Sequence, residues 1–123
     1  MTRLEITSIS KETAEHYVWG SGCDGWHLVK NSELSVIQER MPPGVVEVRH
    51  FHHRARQFFY ILAGEAVMEV DGRSVPLAAG QGLCIPAGTP HQMKNESRSD
   101  LHFLLISQPP SHDDRELAPE GGC

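Results

Sequence analysis

The chain has 123 residues, 39% of them hydrophobic and 22% charged, which suffices to close one hydrophobic core. With 11 basic and 16 acidic residues the net charge is −5, which argues against nucleic acid or an anionic membrane as a partner. No apolar run approaches the roughly 20 residues of a membrane-spanning helix, and the opening MTRLEITSISKETAEH lacks the apolar core of a secretion signal. Cys23, Cys84 and Cys123 are odd in number, widely spaced and free of any CxxC pair, a usage that suits a reducing cytoplasm.

Taken in order, Leu4–Ile9 is expected to form a short edge strand, followed by a polar, helix-like turn over Lys11–His16. Trp19–Trp26 (WGSGCDGW) carries three glycines and an aspartate and reads as a loop flanked by tryptophans that pack or stack on a ligand. From His27 onward strand signals follow at short spacing: HLV, a turn at Asn31–Ser32, LSVIQERM, VVEVRHFH, QFFYILA, AVMEV, RSVPLA, LCIP, HQMKN and LHFLLIS. Asp71-Gly72 between two of them is the signature of a type I′ hairpin. About nine strands without a long helix predict an all-β sandwich or barrel. A single domain over 1–123 is expected, with its barrel core over about 27–107. The tail 108–123 (QPPSHDDRELAPEGGC), rich in proline and acidic residues, reads as an extended strap, with His112 solvated.

The densest chemistry lies in residues 44–64, GVVEVRHFHHRARQFFYILAG. His50 and His52 stand at i and i+2 of a strand-like segment, so their side chains share a face about 6.5–7 Å apart and can converge on one ion. Gln57 opens the following strand, and its carbonyl oxygen suits the completion of a ligand set. His91, preceded by Pro86 and Gly88, is a further candidate from a distant stretch. The eight histidines are many for this length, and histidine is the commonest metal ligand.

These residues fall into two motifs that resemble those of the cupin superfamily. Gly44, His50, His52 and Gly64 fit the first, with Gln57 at its glutamate position. Gly80, Pro86, Gly88, His91 and Asn95 fill every fixed position of the second. The resemblance spans Leu34–Ser107 and implies a double-stranded β-helix, or jelly-roll, barrel holding one divalent transition metal on His50, His52, Gln57 and His91. Fe, Ni, Mn, Zn and Cu all suit such a nitrogen-rich set. Three neutral imidazoles and one oxygen leave positions open for substrate. Because Gln57 is neutral and cannot serve as a base, the set favours Lewis-acid chemistry, of the isomerase, ring-opening or lyase kind, on a small oxygenated or carboxylated metabolite. It is similar to the set of small cupins that linearise unsaturated uronates. A non-catalytic sensing cupin and a metal-dependent dioxygenase are the alternatives.

Strand parity places Phe59 and Ile61 on the face of Gln57, Met93 beside His91, and Val46 and Val48 beneath the histidines. No acid or base is evident in the motifs, and Gln38, Arg40 and His102 are the polar candidates for the substrate pocket. His53 should face away, Arg49, Arg54 and Arg56 should form a solvated basic turn, Cys84 should be buried, and Tyr60 should pack between subunits or sheets. Open strand edges lead us to expect a homodimer that takes a small-molecule ligand.

Overall fold

The computed structural model describes residues 6–111 and 113–119. Among these there are eleven strands and no helix. In chain order they are β1 (Glu15–Trp19), β2 (Cys23–Lys30), β3 (Ser35–Met41), β4 (His50–His52), β5 (Arg56–Ala63), β6 (Glu65–Val70), β7 (Arg73–Ala78), β8 (Gly82–Ile85), β9 (His91–Lys94), β10 (Leu101–Gln108) and β11 (Arg115–Leu117). They form two antiparallel sheets, ordered β1-β2-β3-β10-β5-β8 and β11-β4-β9-β6-β7. Apolar side chains of both, among them Met41, Phe59, Ile61, Met68, Met93 and Phe103, fill the space between.

Alternation explains most of the strands. In β5 the residues Gln57, Phe59 and Ile61 are buried while Arg56 and Tyr60 are exposed, a period of two that fits a sheet with one buried face. The Asp71-Gly72 turn has φ of 50° and 90° at its two residues, as a type I′ hairpin requires. Gly64, at the end of the first motif, has φ of 88°, and a Cβ there would lie 2.5 Å from the Asp100 carbonyl oxygen. Gly64→Ala is therefore expected to cost roughly 1–3 kcal/mol in urea unfolding.

Several expectations are corrected. Trp19–Trp26 is the hairpin of β1 and β2, not a loop; only residues 20–22 turn. Gly25 is a strand residue because the Tyr17 ring lies where its side chain would be. The polar turn ends at Ala14 and His16 is in β1. No strand covers Ile6–Ile9, and Leu4 lies outside the described residues, as do His112 and Cys123. VVEVRHFH contributes only His50–His52 as regular strand, with one isolated bridge at Val46. Strands β1 and β11 lie outside residues 27–107 yet are hydrogen-bonded into the two sheets.

The strap is built into the sheet by one carboxylate. Asp114 accepts hydrogen bonds from the backbone amides of His53 (3.1 Å), Arg54 (2.7 Å) and Ala55 (2.7 Å), while β11 pairs with β4. Burial pushes the Asp114 carboxyl up, but the amides of Ala55 and Arg54 outweigh it and hold the group below the usual carboxylate range.

Candidate metal centre

His50 and His52 lie on β4, and His91 stands opposite His50 on β9. All three are buried, and one ligand nitrogen from each lies within 4.8 Å of the others. Short backbone bonds set two of the rings. Nδ1 of His50 meets the carbonyl of Val48 at 2.7 Å, and Nδ1 of His91 meets that of Thr89 at 2.9 Å. A carbonyl only accepts, so each Nδ1 carries the proton and each Nε2 keeps its lone pair. Burial pushes the imidazoles of His50 and His52 down, to about 3 and about 4, and lowers that of His91. All three are neutral near pH 7, the state a metal requires.

Gln57 enters from the other sheet. Its Nε2 donates to Ser107 Oγ at 3.0 Å and to Ser111 Oγ at 3.5 Å, which turns the amide so that Oε1 is left without a partner. Both nitrogens of His52 and Nε2 of His91 likewise lack hydrogen-bond partners although buried. Orphaned buried polar atoms are costly and need an explanation. Here Oε1 of Gln57, Nε2 of His91 and one nitrogen of the neutral His52 ring offer lone pairs of a type that binds divalent transition ions, so the residues fit a metal.

A cavity of about 400 Å³ opens beside them between the sheets. Tyr17, Trp19, His27, Ile37, Glu39 and Leu105 line it from one sheet, and Glu47, His50, His52 and Arg115 from the other side. Glu39 lies in the middle of β3, only 8% exposed, and accepts a hydrogen bond from the Tyr17 hydroxyl at 3.3 Å. Burial and the neighbouring charge of Glu47 push its carboxyl up to about 8, against the pull of the Tyr17 hydroxyl. Glu47 is held by the Met93 amide, which donates to its Oε1 at 2.9 Å. Burial pushes this carboxyl up to about 7, opposed by the Met93 amide and by the charge of Arg115. Two adjacent carboxyls that retain protons near neutral pH are equipped to exchange them with a ligand.

Three pocket candidates face the wrong way. Ile37 and Glu39 line the cavity, so Gln38 and Arg40 point outward from β3; Arg40 pairs there with Asp24 (2.7 Å) and Asp100 (3.1 Å). Leu105 lines the cavity from β10, and the same parity turns His102 outward. Phe59 and Met93 are on the inner face as expected, but they are sealed in the core beneath the histidines and do not line the opening. Phe59 packs edge-on against His91 with ring centroids 5.8 Å apart.

Val46 and Val48 are 50% and 57% exposed, not beneath the histidines. The irregular backbone before β4 breaks the alternation and sends Glu47 inward instead. Arg49 is tied to Glu69 at 2.6 Å and to the Ala118 carbonyl, and is no solvated edge residue. Cys84 is exposed. His53 faces away and meets Glu116. Of the tryptophans, Trp19 lines the cavity, while Trp26 lies beside His16 and Lys11.

Glu39, Glu47, Ser111 and Arg115 were not among the sequence candidates. For Glu39 a signal was present: it shares parity with Ile37 and Met41, an acid at an apolar-face position. The others are placed by irregular backbone and by long-range pairing that local spacing does not encode.

The comparisons agree with this architecture. The model of the cupin domain family matches residues 37–107. An uncharacterized protein of Methanocaldococcus jannaschii is 30% identical over 92 residues, which cover 74% of each chain. The oxalate-binding protein of Thermotoga maritima is 34% identical over 67 residues, 54% of this chain and 55% of that protein, so the match spans about half of that relative. The solved structure of KdgF from Halomonas sp. superposes with a TM-score of 0.80 at 18% identity, over 89% of this chain and 98% of that one, a likeness of fold. With its two facing sheets, its two glycine-bounded motifs and three histidines positioned to hold a metal, the chain belongs to the cupin superfamily.

Proposed function

We propose that this cupin is a mononuclear metal enzyme acting on a small oxygenated, carboxylated metabolite by isomerisation, ring opening or elimination. His50, His52, His91 and Oε1 of Gln57 would hold one divalent transition ion, Fe, Ni, Mn, Zn or Cu. The observation that carries the reading is the set of partnerless buried nitrogens and one amide oxygen beside a cavity that also holds two proton-retaining carboxyls. When bound, the ion supplies Lewis acidity towards a carbonyl or hydroxyl oxygen. Gln57 adds no charge to the set, and Ser107 and Ser111 keep its oxygen turned outward from their hydroxyls. Glu47, in its ionised form, takes a proton from the substrate, and protonated Glu39, beside the Tyr17 hydroxyl, gives one back; a return transfer from Glu47 to Glu39 restores the pair without net consumption. Trp19, Ile37 and Leu105 give the cavity an apolar wall that excludes water.

A second reading, a non-catalytic carboxylate-binding cupin, is favoured by the likeness to the oxalate-binding protein. Either way the protein is read as a cytoplasmic homodimer of small-molecule function. Cys23 and Cys84 are free thiols, and Tyr60 and Leu62 leave apolar surface exposed for a partner copy.

The test reconstitutes the protein with each ion and screens uronates and other small hydroxy and keto acids. The expected result is turnover without oxygen uptake. Glu47→Gln should then lower kcat by about 10²–10⁴-fold at unchanged metal content. Turnover that consumes oxygen would make it a dioxygenase, saturable binding without turnover would favour the second reading, and failure to bind any divalent ion would overturn both metal-based accounts.

A further inference from the structure

Arg115 is a cation in the cavity that the proton chemistry above does not use. It opens β11 and stands directly opposite His52 in the antiparallel pairing. Opposed residues of such a pair project to the same face, so its side chain lies on the face of His52, and it lines the cavity with His50, His52, Glu39 and Glu47. Its position is fixed from next door, where Asp114 clamps the backbone of residues 53–55.

The groups that might have neutralised Arg115 are committed elsewhere. Glu47 feels the Arg115 charge but makes its hydrogen bond to the Met93 amide, Glu116 meets His53, and Asp114 faces the 53–55 amides. Among the described residues the Arg115 guanidinium makes no ion pair and no side-chain hydrogen bond. The imidazoles and the Gln57 amide bring no negative charge. Arg115 is exposed where it lines the cavity, so its guanidinium is open to an anion that enters.

We infer that Arg115 is a substrate-positioning, specificity-determining residue whose guanidinium binds the carboxylate of a small hydroxy or keto acid. Its planar fork matches a carboxylate through two parallel N–H···O bonds. With the carboxylate on Arg115, the remaining oxygens of the ligand turn towards the histidines of the facing strand. This second half rests on the metal-enzyme reading; the carboxylate contact itself does not.

Calorimetric titration of acid and neutral pairs tests it: galacturonate against galactose, glycerate against glycerol, and lactate against propane-1,2-diol. Wild type, Arg115→Gln and Arg115→Lys are each titrated without metal and with Mn²⁺, their folding checked by circular dichroism. In the wild type the acid of at least one pair should bind about tenfold or more tighter than its neutral partner, in both metal states. Arg115→Gln should erase the preference at unchanged metal content and neutral-ligand affinity, and Arg115→Lys should keep part of it. A preference that survives in Arg115→Gln, one that appears only with Mn²⁺, its absence from all three wild-type pairs, or tighter binding of inorganic phosphate would each overturn the inference. Failure to take up Mn²⁺ would instead strike the metal reading, and the metal-free titrations would still decide the role of Arg115.

Discussion

With His50 and His91 both replaced by alanine, the purified protein is expected to carry less than about a tenth of an ion per chain, against nearly one in the wild type, and to remain folded. Two of three imidazoles are then gone, and loss of even one outer-sphere partner of a metal ligand costs roughly 10–100-fold in affinity. Folding should survive because these rings contribute little to the metal-free protein. His91 is 1% exposed, yet its Nε2 has no partner, and burial, helped by the charges of His91, Arg115 and His52, holds the His50 imidazole down at about 3. Alanine leaves some unfilled space under Phe59, but it also removes polar atoms that burial penalises. Elemental analysis beside circular dichroism reads both halves. A melting temperature that rises with added metal in the wild type and not in the variant gives the same answer by linkage. Stoichiometric metal in the variant would place the ion elsewhere.

The metal-free protein should be most stable near pH 6.5, and Glu39→Gln should remove much of the loss on the alkaline side. Glu39 moves from an ordinary 4.5 to about 8 on folding, and Glu47 from 4.5 to about 7. The folded state therefore keeps protons that the unfolded chain releases, and stability falls as pH rises from about 4.5 through these values, by about 1.4 kcal/mol per pH unit for each group. The histidines act in the opposite sense. His50 and His52 are lowered from 6.5 to about 3 and about 4, so the folded state refuses protons that the unfolded chain binds, and stability is lost as pH falls below 6.5. His91 is lowered as well and adds to this acid-side loss. Between about 4.5 and 6.5 the two sets oppose each other; above 6.5 only the carboxyls act. Between about 7 and 8 Glu39 titrates nearly alone, so at pH 8 the Glu39→Gln protein should exceed the wild type by on the order of a few kcal/mol. Urea unfolding across pH 4–9 after chelation measures the profile. An unchanged alkaline slope in Glu39→Gln would mean that the carboxylate is not buried in the folded protein.

What the sequence disclosed was whatever depends on short spacing. Gly44, Gly64, Gly80 and Gly88 all have positive φ at turns that their motif positions implied. His50 and His52 share a face because both sit in one strand, and Gln57 reaches the cavity because β5 keeps strict alternation. Glu39 and Glu47 were hidden for two different physical reasons. On β3 the period is legible but its phase is not, and one residue of phase separates the cavity residue Glu39 from the outward Arg40. Before β4 the period itself fails: Val46 forms only an isolated bridge, Val48 turns to solvent, and Glu47 comes in. Arg115 depended on a strand pairing across more than 60 residues, anchored by a carboxylate whose partners are backbone amides and so leave no mark in the sequence of residues 53–55.

The Asp114 clamp also divides the molecule by task. All four candidate ligands lie at or before residue 91, whereas Ser111 and Arg115 reach the cavity on a separate stretch, fastened by the Asp114 carboxylate, by the pairing of β11 with β4 and by Arg49 at Ala118. The proposed metal ligands and the proposed carboxylate contact are thus carried on different lengths of chain, joined by strand pairing and by one carboxylate that binds three backbone amides. On the proposed reading, a related barrel with a matching β4 edge could accept this stretch as a graft, exchanging the cation that meets the ligand while the three histidines and Gln57 stay as they were.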